Sequence, residues 1–141
     1  MQIDINSLPN DIQYKLISST IVPRPIALIT TYNEETGDNA APFSFFNAMG
    51  ENPPVLVVGL ETRRHSRTLK DTTHNVMQNG QFVVHIADEP MAEQMHRCGE
   101  TLPSDVSELA VVGLGTAPSC AVAPPRIKEA PVAFECALSE Q

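Results

Sequence analysis

At 141 residues, 42% hydrophobic and 18% charged, the chain is long enough for one domain with its own core and too apolar to be disordered. Nine Lys and Arg against 17 Asp and Glu leave a formal charge of −8, which disfavours duplex DNA, bulk RNA and anionic membranes as partners. Aromatics at 5% without Trp exclude a stacking platform for nucleic acid, and three scattered cysteines (Cys98, Cys120, Cys136) exclude a disulfide framework.

The start, from Met1 to Ile5, has neither a basic nor an apolar signal region. The longest apolar run, residues 55–60, is too short to span a bilayer, so a cytoplasmic protein is expected. Residues 10–18 predict a short helix with Asn10 as N-cap and Ile12, Leu16 and Ile17 on one face. Pro23 and Pro25 impose extended backbone. Residues 26–32 read as a buried strand, 33–38 as a turn in which Gly37 can take positive φ, and 39–47 as the returning hairpin strand. A turn over 50–54 leads into a buried strand at 55–60, then a polar, basic loop over 61–67.

Leu69, Val76 and Met77 share a helical face, which predicts a helix over 68–78 ended by Asn79 and Gly80. A strand at 81–87, helices at 90–97 and 105–109, a loop over 117–125 and a strand at 130–138 complete the chain. Val132, Phe134 and Cys136 alternate there with Ala133, Glu135 and Ala137. The balance is mainly β with peripheral helices, joined by short turns, which favours an antiparallel barrel over a doubly wound sheet. So few strands leave the barrel unclosed. Either a second subunit supplies the edge, or the barrel is incomplete at its C-terminus.

Two clusters carry the chemistry. Arg63, Arg64, Arg67 and Lys70 put four of the nine basic residues into eight positions, among the hydroxyls of Ser66, Thr68 and Thr72. At the start of a predicted helix such donors suit a phosphate; they also suit a solvated basic loop. Phe43, Phe45 and Phe46 put three of the five Phe into four positions beside Pro42, Ser44 and Asn47. That pattern suits a flat heteroaromatic ring, or an ordinary core strand. The four histidines make no metal-binding pair, although His96 and Cys98 could share a metal, and no site for one is expected. No nucleophile elbow, Walker loop or complete dinucleotide loop is present.

Pro23-Arg24-Pro25 with the following strand, Asn39 to Ala48 before Asn52-Pro53-Pro54, Lys70-Asp71-Thr72 with Asn75 before Gly80-Gln81-Phe82, and Pro124-Pro125-Arg126-Ile127 through Glu135-Cys136 occur in this order. Together they resemble the flavin reductase-like, FMN-binding split-barrel family, across about four-fifths of the chain. The resemblance implies one domain, residues 1–141, forming a homodimeric split β-barrel with FMN, rather than FAD, near the subunit interface. Pro42, Phe43, Ser44, Phe46, Asn47 and Ala48 would line the flavin ring. Ser66, Thr68, Lys70, Asp71 and Thr72 would hold its phosphate and ribityl end. The implied activity passes electrons from NAD(P)H through flavin to an acceptor, with no side chain required as acid or base. Alternatives are an electron-carrier module without reductase activity and a non-catalytic dimerisation protein. His85 stands where the family often has Asn, and the further strands that members usually carry after the Glu135-Cys136 segment are not in this sequence.

Overall fold

The computed structural model describes residues 2–63, 66 and 68–139. A 3-10 turn at Ile5–Ser7 precedes helix α1 (Asn10–Thr20) and strands β1 (Ala27–Asn33), β2 (Gly37–Phe43), β3 (Phe46–Glu51) and β4 (Pro54–Val58). Helix α2 (Asp71–Asn79) and strand β5 (Gln81–Ile86) follow, then a 3-10 turn at Glu89–Met91 and helices α3 (Ala92–Arg97) and α4 (Glu108–Val112). Strands β6 (Thr116–Ala117), β7 (Arg126–Ile127) and β8 (Val132–Ala137) end the order. The main sheet runs β2-β1-β5-β8, beside two ribbons, β3-β4 and β6-β7, and all pairs are antiparallel. The sheet is open, with β2 and β8 as its edges.

The β1–β2 hairpin forms where its residues dictate. Asn33 turns its side-chain oxygen onto the N–H groups of Glu35 and Thr36, and Gly37 takes φ +84°. The predicted strand over 39–47 divides instead. Phe43 pairs with Ala27, where β1 begins after Pro25, so beyond Phe43 the strand has no partner. The chain leaves the sheet, and Phe46 to Glu51 pairs with β4. The predicted 50–54 turn shrinks to the residues between those strands.

Alternation along the strands sends side chains to two faces. Leu28 and Ala40 pack on one face against Met91, Cys98, Leu109, Val112, Leu114 and Ile127. Ala27, Ile29, Phe43 and Val84 lie on the other, against Phe46, Leu56, Val58 and Leu60 from the β3–β4 ribbon and the loop after it. Helix α2 joins this second face through polar groups. Asn75 Nδ2 donates to Thr31 Oγ1 at 3.0 Å, and Asn39 Nδ2 donates to Thr72 Oγ1 at 2.9 Å.

Several boundaries move from those expected. Asn10 is the first helical residue rather than the cap; the N–H groups of Ile12 and Gln13 donate to Pro9 O, and α1 buries no residue. Helix α2 starts at Asp71, not Thr68, because the Arg63 N–H donates to Thr68 O at 2.8 Å and Leu69 bridges Thr62, which keeps 68–69 extended. It ends at Gly80, φ +67°, as expected. The helix expected at 105–109 lies at Glu108–Val112, ended by Gly113 at φ +75°. Within β8 the expected alternation holds, yet Val132 and Phe134 point to the less covered side of the sheet. No helix among the described residues is long and apolar enough to cross a membrane.

Candidate functional site

A cleft of ≈ 480 Å³ opens at the β2 edge of the sheet. One wall is β2 itself, through Asn39, Pro42 and Phe43. A second is the segment leading into α2, with Arg63, Ser66, Lys70, Asp71 and Thr72. The third is the stretch after α3, residues 98–102, with Glu108 of α4. Gly99 allows the close approach of this third wall to β2: a Cβ there would stand 3.1 Å from His96 O and 3.4 Å from Pro42 Cγ.

Six of the sequence-predicted residues therefore meet in one place: Pro42, Phe43, Ser66, Lys70, Asp71 and Thr72. Ser44 lines an adjoining cavity of ≈ 100 Å³ that shares Pro42, Phe43 and Lys70 with the first. The others lie elsewhere. Phe46 packs beneath the sheet, while Asn47 and Ala48 are exposed on β3, where Asn47 Oδ1 accepts the Ala48 N–H. Thr68 is exposed and meets the cluster only through the Ser66 hydroxyl, at 2.7 Å. The chain's departure from the sheet after Phe43 separates residues 46–48 from residues 42–43. Arg64, His65 and Arg67 lie outside the described residues.

The charges of the site divide by wall. Arg63 Nη2 meets Asp71 Oδ2 at 2.9 Å, so Asp71 holds a basic side chain in place and neutralises part of its charge. Lys70 makes no ion pair among the described residues and is the cation left to face a ligand. It stands directly before α2, whose first N–H groups and dipole add positive potential at the same point. This donor set suits a phosphate: one ammonium, one guanidinium and the hydroxyls of Ser66 and Thr72 on one wall of a cleft that Pro42 and Phe43 also line. No group of three or more His, Cys, Asp or Glu among the described residues is arranged to hold a metal.

Sequence reasoning missed two members of this region. Glu108 is buried, and its Oε2 accepts the Ala40 N–H on the open edge of β2 at 3.0 Å. Burial pushes its carboxyl above the usual range, backbone N–H bonds from Ala40 and its own residue oppose this, and the charge of Asp71 adds to it. The same burial, with the Glu108 charge, pushes the Cys98 thiol up to about 11, which leaves it protonated and unreactive. Nothing in the sequence joins Glu108 to Ala40, 68 positions away. Arg24 is the second. It donates to Ser44 Oγ at 3.3 Å and to the carbonyls of Ser18 and Ile21, each at 2.6 Å, and lies over the Phe45 ring. Its setting between two prolines was the available signal.

Comparison with known proteins bears on this site. Residues 18–141 match the model of the flavin reductase like domain. An uncharacterized protein of Bacillus subtilis, YwrF, is 45% identical over 125 residues, which cover 89% of this chain and 60% of the relative. The crystal structure of the 2-nitrobenzoate 2-nitroreductase NbaA of Pseudomonas fluorescens superposes with a TM-score of 0.85 at 42% identity, covering 99% of this chain and 66% of that one. A split barrel structure from Shewanella frigidimarina, 24% identical, shares the fold at a TM-score of 0.81, covering 99% of this chain and 69% of that one. The chain thus spans about three-fifths to two-thirds of the length of these relatives.

Proposed function

Because the chain belongs to the flavin reductase like domain family, we propose that its cleft binds a flavin and that it serves a flavin-dependent oxidoreductase. The observation that carries this reading is the convergence of Lys70, Arg63, Ser66 and Thr72 on one wall of the cleft, with Pro42 and Phe43 on another. Lys70 and the start of α2 would hold the phosphate as charge-assisted donors, and a single such donor set favours FMN over FAD. Pro42 and Phe43 would shield one side of the ring from water, and Ser44, held by Arg24, would offer it a hydroxyl. The flavin, when bound, supplies the hydride and electron chemistry. The chain positions it, and no side chain at Pro42–Ser44 is titratable.

Family membership supports NAD(P)H as the electron source. The uncovered apolar side chains of α1 and β8 support a homodimer, since α1 buries nothing and Phe134 is exposed. The similarity to a 2-nitrobenzoate nitroreductase favours a nitroaromatic acceptor as a second reading, tested by NADH oxidation with 2-nitrobenzoate beside free flavin and oxygen.

The test of the flavin site is Lys70→Ala. Removing a charge-assisted bond whose partner stays anionic costs about 1.5–3 kcal/mol. FMN affinity, read by fluorescence quenching, should fall about 10–100-fold. An unchanged dissociation constant would overturn this placement of the phosphate, and a purified chain that takes up no FMN at all would overturn the cofactor.

A further inference from the structure

Among the described residues Glu108 is the one buried carboxylate that lines the cleft, and the flavin reading gives it no role. Its position is built rather than incidental. Residue 108 opens α4, whose Leu109 and Val112 anchor in the core, so the carboxylate is carried on a fixed element. It then caps the Ala40 N–H, on a strand whose neighbours Asn39, Pro42 and Phe43 form the cleft wall. The described charged and titratable groups around it are few. Asp71 and Lys70 face it from the α2 side, Arg63 is paired to Asp71, and Cys98 and Glu100 stand on the wall after α3, with Arg97 at the end of α3. A negative charge of low solvent access thus shares one cleft with the cations that would take an anion.

We propose that Glu108 is a positioning and specificity-determining residue of the flavin cleft: it holds the β2 wall through the Ala40 N–H, and its charge opposes the phosphate of the ligand. The inference rests on the flavin reading. Low dielectric strengthens this repulsion relative to exposed carboxylates, and it acts on FMN but not on riboflavin, which has the same ring and no phosphate. Protonation removes the repulsion while the other carboxyl oxygen can still accept the Ala40 N–H. The upward push on this carboxyl brings that event toward neutral pH. FMN then binds more tightly as pH falls. By linkage, bound FMN raises the pH at which Glu108 titrates, and riboflavin does not.

Two variants and one wild-type measurement test it. Glu108→Gln keeps an acceptor oxygen for Ala40 and loses the charge; Glu108→Ala loses both. At pH 8, Glu108→Gln should bind FMN about 3–10-fold more tightly than wild type. The excess should shrink as pH falls, and riboflavin affinity should be equal throughout. Glu108→Ala should weaken both flavins, because the wall is no longer held. The phosphate of free FMN titrates in the same range and identically in both measurements, so it cancels from the ratio of the two affinities, which leaves the coupling between Glu108 and the bound phosphate. Equal FMN affinity of wild type and Glu108→Gln at every pH would overturn the proposal, as would weaker binding of both flavins by that variant. Should the variants not fold, carbon NMR titration of Glu108 in wild type decides: a midpoint unmoved by FMN overturns it. Wild type that binds neither FMN nor riboflavin overturns the flavin reading first, and the proposal with it.

Discussion

The two faces of the central sheet are built from the same strands and have opposite fates. On one, Leu28, Val83 and His85 are fully buried beneath α3, α4 and the 118–127 segment. On the other, Ala27 and Ile29 are buried, but Phe134 and Val132 of β8 are 45% and 42% exposed. The difference lies in what the chain returns to each face. After β5 it spends residues 89–127 closing the first, with a strap tied at four points: Thr30 Oγ1 to Pro125 O, the Ile127 N–H to His85 Nε2, the Ala123 N–H to Gln81 Oε1, and the Cys120 N–H to the Glu135 carboxylate. The second face has the β3–β4 ribbon and α2; the cluster they build takes in Val84 of β5 and Cys136 of β8 but leaves Val132 and Phe134 of β8 exposed. The cleft lies at the β2 edge, where the two coverings meet. The closed face supplies its rigid wall with Glu108, and the open face supplies Lys70 and Thr72. A site on such an edge takes one wall from each covering.

The sharpest way to break this contrast is to hollow out each face in turn. Leu28→Ala removes a fully buried side chain from the closed face. The surrounding strap and helices limit relaxation, so the loss should be about 2–5 kcal/mol. Chemical denaturation measures it. A loss below about 1 kcal/mol would mean that the closed face is not the stabilising core.

How much of this was readable in advance follows the range of the interactions. The main strands, α2 and its Gly80 end were legible, because they rest on β-rich apolar runs bounded by turn residues, on alternation over 130–138 and on a glycine at the helix end, all local signals. Pro42, Phe43, Ser66, Lys70, Asp71 and Thr72 were legible as two separate clusters, and the structure brings them to one cleft. The break after Phe43 was not legible, because it depends on where the partner strand starts, sixteen residues earlier, at Ala27. Glu108 was not legible either: its partner is a backbone N–H of a distant strand, which leaves no mark in side-chain composition. The placement of Asn47 and Ala48 on β3 follows from that same unseen break.

His85 sharpens the comparison through pH, since it ties the closed face to its strap. Its Nδ1–H donates to Leu28 O at 3.0 Å and its Nε2 accepts the Ile127 N–H at 2.9 Å, an arrangement that only the neutral ring can make. Burial is the main reason its pKa lies below the ordinary value, with the Arg126 charge adding to the shift and the bond to Leu28 opposing it. The unfolded chain therefore binds a proton near pH 6.5 that the folded chain refuses until lower pH. Stability from this residue is fully present above about pH 6.5 and falls as pH drops toward the lowered folded value. His85→Leu leaves Leu28 O and the Ile127 N–H without their partner, and should cost about 1–3 kcal/mol at pH 8. Between pH 8 and pH 5.5 the gap between wild type and variant should narrow, because only wild type loses this contribution. Denaturation at both pH values checks the sign; a gap that widens on acidification would contradict a neutral buried ring.

The smallest effect belongs to the open face. Phe134 sits opposite Val84 across the β5–β8 pair but outside the cluster that Val84 forms with the β3–β4 ribbon. Almost half of its surface already meets solvent, so Phe134→Ser gives up little transfer free energy and opens no enclosed cavity. For the single chain, at low concentration, the expected loss is about 0.5 kcal/mol, within the ordinary range of surface changes, and it should grow at concentrations where the proposed homodimer forms. The measurement is the same denaturation used for Leu28→Ala, run at two protein concentrations. A loss as large as that of the closed face, and growing with concentration, would show that a second copy covers Phe134 and that the two faces are equally closed in the assembled protein. A large loss independent of concentration would break the contrast within a single chain.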